Sequence, residues 1–239
     1  MIYLIYDVLQ VIVSQDWENF RSTILSRPAL FRDLSNAAST CPQLNGMTLL
    51  HAAVRYTAPI DIISEIIRLC PDMPAATDCL GRTPLHVAAG TRSSTMLLNL
   101  LAHSCPTACM IQDDGGKTPL HFACDGTCVL FEGDCLDEPP SYEAVEALLS
   151  YSIYAATIED EDEMSPLEHA ILSGASMTTV KLLQNATSKG MQLSHLQSFI
   201  AATPSLHPQD DSSNAINSKI PSFSESRRVS ADQEDLKYD

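Results

Sequence analysis

An all-α stack of helix–turn–helix repeats is the fold this sequence predicts, and three observations predict it. The stretch Gly81-Arg82-Thr83-Pro84-Leu85-His86-Val87-Ala88-Ala89 returns as Gly116-Lys117-Thr118-Pro119-Leu120-His121-Phe122-Ala123-Cys124. A near copy runs from Gly46 to Ala53, and a worn copy, with Glu163, Ser165 and Glu168, runs from Glu163 to Ile171. The copies are phased: Thr48, Thr83 and Thr118 stand 35 residues apart, and Ser165 follows Thr118 by 47, one period plus 12. A fixed period of this size marks a solenoid or array. Each copy is followed by an apolar pair, Ile66-Ile67, Leu100-Leu101, Leu148-Leu149 and Leu182-Leu183, which supplies the second helix of each repeat.

Within the stretch each residue type has a physical reason. Gly81 and Gly116 suit a turn with positive φ. Thr83 and Thr118 read as helix N-caps whose hydroxyls accept from free N–H groups of the first turn. Pro84 and Pro119 sit at the first helical position, where no N–H is needed. Leu85 and Leu120 face the core, and His86 and His121, three residues after the cap, can reach back to the turn. The pairs Ala52-Ala53, Ala88-Ala89 and Ala123-Cys124 let neighbouring helices approach closely.

The stretches Thr83–Ala88 and Thr118–Ala123 match T-P-L-H-x-A in full, Thr48–Ala53 departs only at Leu49, and Ser165–Ala170 departs at Glu168. On these residues the chain resembles the ankyrin-repeat family, over roughly residues 16 to 190. The resemblance implies an elongated array that binds protein partners through its concave face and fingertips.

Taken in order, residues 1–42 read as a degenerate N-terminal capping repeat. Ile2, Leu4, Ile5, Val8, Leu9 and Ile12 have helical spacing. Asp16 caps a second helix carrying Trp17, Phe20, Ile24 and Leu25, which Pro28 is expected to end, leaving a long loop to Gly46. Residues 43–190 hold four repeats. The first has a strongly apolar second helix (Ile62, Ile63, Ile66, Ile67), and the second repeat is the most regular. The third carries an insertion at about 125–140 between its helices, with Cys128, Cys135 and several carboxylates. A loop of that length inside a compact array is functional or mobile. Ser141 caps the helix that follows. The fourth repeat opens on the acidic run Glu159–Glu163, and its second helix is expected near Thr178–Gln184. Residues 191–202 read as a separate capping helix. Residues 203–239, rich in Ser, Pro and Asp, read as a disordered tail with too little apolar surface to offset its ordering entropy.

Composition narrows the function. Apolar residues make up 45% of the chain, ample for a core, and the net charge of −16 opposes a phosphate backbone, so nucleic acid is not the expected partner. The apolar opening Met1–Val13 lacks a basic flank and a cleavage site and is too short to span a bilayer. No membrane association is expected. The eight cysteines are expected to be reduced, in the cytoplasm or the nucleus, and the sequon Asn185-Ala186-Thr187 is then accidental.

The residues that could carry chemistry are few. His51, His86 and His121 recur in phase, which makes them turn-bracing groups rather than ligands. Cys105, Cys109, Cys124, Cys128 and Cys135, with His103 and His121, form the one cluster to weigh as a zinc site; free thiols are the expectation, with no metal and no cofactor. A thiol or zinc-dependent enzyme centred on Cys128 and Cys135, or a fragment of a larger enzyme, is the rival class. No catalytic residue is assigned.

By the family resemblance, partner contacts fall on fingertip and inner-helix-end positions. Carried onto this chain they are Arg55 and Tyr56 in the first repeat, Cys79, Leu80 and Arg82 in the second, Asp114 and Lys117 in the third, and Glu161, Asp162 and Met164 in the fourth. The acidic tips of the third and fourth repeats suggest a partner with a basic segment, held in a salt-dependent way. Pro139-Pro140-Ser141-Tyr142 fits the pattern that WW domains read, set against the plainer role of leading into the Ser141 cap. Arg227-Arg228-Val229-Ser230 fits a basophilic kinase site at Ser230.

Overall fold

The computed structural model describes residues 2–39, 44–131 and 138–202. The described part is helical throughout, with no strand. Its elements are α1 (Ile2–Val13), α2 (Trp17–Asn19, widening into a π-turn segment Phe20–Leu25), α3 (Pro28–Ser39), α4 (Leu49–Arg55), α5 (Ile60–Leu69), α6 (Pro84–Gly90), α7 (Thr95–Ser104), α8 (Pro119–Cys124), α9 (Tyr142–Tyr151), α10 (Pro166–Leu172) and α11 (Met177–Ala202). The expected tail, and Ser230 within it, lie outside the described residues.

Two layers result. The short inner helices α4, α6, α8 and α10 stack on one another, and the longer helices α5, α7, α9 and α11 stack behind them. A 3-10 turn follows each of the first three outer helices (Met73–Ala75, Pro106–Met110, Ile153–Thr157) and leads into the next fingertip. The core between the layers is aliphatic, with Leu50, Ile63, Leu85, Leu98, Leu101, Leu120, Val145 and Leu148 all buried. Each such side chain stabilises the fold by about 1.5–3 kcal/mol. Ala53, Ala88, Ala123 and Ala170, one per inner helix, are fully buried; their small size sets the close approach of the inner stack.

Three inner helices end alike. Thr57 (φ 56°), Arg92 (φ 55°) and Gly174 (φ 68°) take left-handed backbone just past the helix. The next amides, of Ala58, Ser93 and Ala175, bond back to the carbonyls of Ala53, Ala88 and Ala170. This six-to-one closure is the Schellman arrangement. In the third repeat Asp125 is extended instead (φ −91°, ψ 105°), so α8 opens into the insertion.

The N-terminal region differs from expectation. Asp16 does cap its helix, accepting from the Asn19 amide at 3.2 Å. Pro28, expected to end a helix and open a long loop, instead begins α3 at a position where proline's missing N–H costs nothing. Phe31, Leu34 and Ala38 form its buried stripe. α1 packs on α4 and α3 on α5, so this region continues both layers.

The C-terminal end also differs. The two helices expected near 178–184 and 193–202 are one, α11, of 26 residues. It runs on through Gly190, which sits where the helix crosses the Ile153–Thr157 turn: a Cβ there would stand 2.8 Å from Thr157 Cγ2. Among the described residues no helix is long and apolar enough to cross a membrane.

Candidate partner-binding face

The second, third and fourth fingertips are each built around one carboxylate. Asp78 accepts from the amides of Leu80 and Arg82 (both 2.9 Å). Asp113 accepts from Gly115 (3.0 Å) and Lys117 (2.8 Å), and Asp160 from Asp162 and Met164 (both 3.0 Å). Burial pushes all three carboxyls up. In Asp78 the hydrogen bonds of Arg82, and in Asp160 those of His169 and the Met164 amide, reverse this and hold the group below its ordinary value; Asp113 stays raised. Asp160, in the acidic run that opens the fourth repeat, is therefore a buried structural anchor.

Successive tips are joined by backbone bonds: Cys79 N–H to Asn45 O (2.7 Å), Asp114 N–H to Leu80 O (2.9 Å) and Glu161 N–H to Gly115 O (3.0 Å). This contact explains the turn glycines. Gly46, Gly81 and Gly116 have φ of 73°, 75° and 74°, and a Cβ on any of them would press on the backbone of the next tip, at 2.8 Å from Glu161 N in the case of Gly116. Glu163 takes the same left-handed turn (φ 58°) in the fourth tip.

The phased histidines brace more than their own turns. In His51, His86 and His121, Nδ1 accepts the N–H of the capping threonine at 3.2, 2.9 and 3.0 Å. Nε2 then donates to a carbonyl of the following repeat: Arg82 O (2.9 Å), Lys117 O (3.1 Å) and Met164 O (3.2 Å). One neutral ring thus ties cap to neighbour. Burial lowers the pKa of all three, to about 4 for His86 and His121. In the fourth repeat Glu168 keeps the capping box, accepting from Ser165 N–H (2.7 Å) and its hydroxyl (2.8 Å).

The expected contact residues fall into three groups. Cys79, Leu80, Asp114, Glu161 and Asp162 are exposed on the tips, and the acids Asp114, Glu161 and Asp162 stand on adjacent, hydrogen-bonded tips. Tyr56 and Met164 are half-buried. The cations are engaged within the chain. Arg82 is 7% exposed and pairs with Asp78 at 2.7 Å. Its Nη1 donates to Leu130 O at 2.8 Å. Lys117 Nζ donates to Asp125 Oδ2 at 3.2 Å. Arg55 lies over the Phe131 ring, 4.6 Å from its centre.

Sequence reasoning did not find Arg92 or His169. Arg92 donates to Ala123 O (2.7 Å), Asp125 O (2.9 Å) and Glu138 O (3.3 Å), holding both ends of the insertion. His169 Nε2 bonds Asp160 Oδ2 at 2.7 Å, and its ring stands edge-on to His121. Neither had a sequence signal: Arg92 acts across repeats, and His169 meets a tip carboxylate nine residues away that the pattern does not pair with it.

For catalysis or metal binding the described residues assemble little. No group of three His, Cys, Asp or Glu among them is placed to hold a metal ion. Cys109 and Cys124 are buried and Cys128 half-buried; burial pushes their thiols up, to about 11 for Cys109 and Cys128. A raised thiol is a poorer nucleophile at neutral pH because less of it is thiolate. Cys135 lies outside the described residues. In Pro139–Tyr142, Pro140 is buried, Ser141 caps α9 by accepting from Ala144 N–H (3.3 Å), and Tyr142 is already helical. An extended docking of this segment would require the first turn of α9 to open.

Residues 50–132 match the family model described as ankyrin repeats (3 copies). No curated protein matches the chain. The fourth repeat lies beyond the matched span, yet it carries the same capping box, the same tip carboxylate and the same stacking on its neighbour. The chain carries ankyrin repeats.

Proposed function

We propose that this protein is a scaffold or adaptor that binds a protein partner rather than an enzyme, and that it works in the cytoplasm or nucleus. Ankyrin repeats are generally protein–protein interaction modules. The observation that carries the finer reading is the row of exposed carboxylates Asp114, Glu161 and Asp162 on consecutive tips held in register by the Glu161–Gly115 bond. Such a row attracts a basic segment, with association that is faster and tighter at low salt.

The test is affinity capture from cell extract with the whole chain beside Asp114→Lys/Glu161→Lys/Asp162→Lys. A basic protein retained by the first, lost by the second and released by moderate salt supports the proposal. Equal capture by both chains, insensitive to salt, counts against the acidic tips.

A further inference from the structure

Residues 125–131, the described start of the third repeat's insertion, do not project away from the array. From Asp125 they run back over the ends of the inner helices of the two preceding repeats. Gly126 N–H donates to Ser173 Oγ at 2.7 Å, which fixes the start of the segment to the fourth repeat. Leu130 is 6% exposed and fills the space beside Gly90, where a Cβ would overlap its Cδ1. Its carbonyl accepts from Arg82. Phe131 then reaches the end of α4, under the guanidinium groups of Arg82 and Arg55, 5.0 and 4.6 Å from the ring centre.

The seat is built by the stacked repeats, and the segment that fills it has an exposed flank. Gly90 stands at the helix position where the first repeat has Arg55, so the absence of a side chain there leaves a slot for an aliphatic group. Arg82 is anchored within its own repeat by the buried ion pair with Asp78, which leaves Nη1 to reach the segment that crosses it. The occupant, by contrast, leaves Val129 64% exposed beside a cleft of about 360 Å³ that runs from Leu80 and Lys117 to Cys128. At the anchor of the segment the buried Nε of Arg92 has no acceptor among the described residues. A slot with a guanidinium roof, filled by two side chains of a segment whose flank faces an open cleft, has the form of a peptide site occupied in cis.

We infer that the inner face at the ends of α4 and α6 is a binding site for an aliphatic–aromatic peptide segment, which the chain's own Leu130-Phe131 occupies until a partner carrying such a pair displaces it. The displacing partner rests on the protein-binding reading above; the site itself does not. It is also distinct from the acidic tips, so the two fail separately. Guanidinium–aromatic stacking supplies selectivity for the ring. Tethering gives the chain's own segment an effective concentration near the millimolar range, so a free competitor must be supplied above that or the segment must be disabled.

The experiment uses the full chain and a labelled synthetic peptide of residues 126–131 with Cys128→Ser. In the variant Leu130→Ser/Phe131→Ser the slot is empty, and the peptide is expected to bind at least tenfold more tightly than to the unaltered chain. Adding Arg55→Ala to that variant should remove most of the gain. Equal binding to the unaltered and double-serine chains, or none to either while both unfold cooperatively, overturns the inference. A second measurement needs no variant. Millimolar peptide should speed alkylation of Cys128, which travels with the segment, while leaving Cys109 and Cys124 unchanged; a peptide with serine for phenylalanine should not. No acceleration at Cys128 overturns the inference even if the double-serine chain fails to fold. The fingertip charge reversals should leave both readouts intact.

Discussion

Lowering the pH from 7.5 to 5.0 should weaken this array through its buried histidines. His86 and His121 are held down to about 4, chiefly because burial disfavours the charged ring, and His51 is lowered for the same first reason. The hydrogen bonds agree: Nδ1 accepts from the capping threonine, so a proton there would destroy the cap. In the unfolded chain the same rings titrate near 6.5. Between about 6.5 and about 4 the unfolded chain therefore binds more protons, and stability falls as pH falls, levelling off once the folded rings also protonate. At pH 5.0 one such ring costs about 2 kcal/mol and the pair about 4 kcal/mol, a large part of a total of about 5–15 kcal/mol. Asp78, Asp125 and Asp160, held below their ordinary values, withdraw their stabilisation only below the unfolded carboxylate value of about 3.9, so the windows separate. Urea unfolding followed by far-ultraviolet circular dichroism at pH 7.5, 6.0 and 5.0 measures the slope. His86→Gln, which cannot titrate, should start less stable and lose about 2 kcal/mol less over the interval. Equal stability of the unaltered chain at pH 7.5 and 5.0 would refute the reasoning, as would a His86→Gln slope as steep as the original.

Three further outcomes can be read at neutral pH, the first two by urea titration and the third by hydrogen exchange. Gly116→Ala should cost about 2–4 kcal/mol, combining left-handed strain with a Cβ driven against Glu161 N, whereas Gly174→Ala, with open space at its Cβ, should cost only about 1 kcal/mol; equal losses would remove the tip-stacking explanation. Arg82→Ala should cost about 3–5 kcal/mol by leaving Asp78 buried without its partner; a loss under about 1 kcal/mol would show that the pair is not the anchor. Glu168→Ala should open half of the capping box and speed hydrogen exchange in the first turn of α10; unchanged exchange there would show that Glu168 does not hold the cap.

The repeats were legible because their signals are local. A cap, a proline at the first helical position and a histidine three residues later interact within one turn, and the spacing of Thr48, Thr83 and Thr118 exposes them without reference to contacts. Where the reading failed, two local meanings competed. Pro28 can stop one helix or start the next, and the stripe Phe31, Leu34 and Ala38 that decides for a start was present in the sequence. Glycine is unfavourable within a helix, and only the close approach of Thr157 shows why α11 keeps Gly190. Among the site residues, the exposed acids Asp114, Glu161 and Asp162 lie where the pattern placed them. Arg82 and Lys117 were named from the same pattern, but their charges meet Asp78 and Asp125 within the chain.

By itself the sequence determined the class of fold, the phase of the repeated stretch and the cap of each inner helix. These follow from interactions spanning four residues or fewer, repeated at a fixed period. Tertiary structure alone decided which carbonyl each histidine reaches, which turn positions must be glycine, and where the insertion lies. Those outcomes depend on groups 31 to 48 residues away in sequence: His51 to Arg82, Arg92 to Ala123, Arg82 to Leu130. Nothing in Val129-Leu130-Phe131 taken alone tells whether the segment meets solvent or the ends of α4 and α6. The slot beside Gly90 and the guanidinium groups of Arg55 and Arg82 exist as a seat only once successive repeats have stacked.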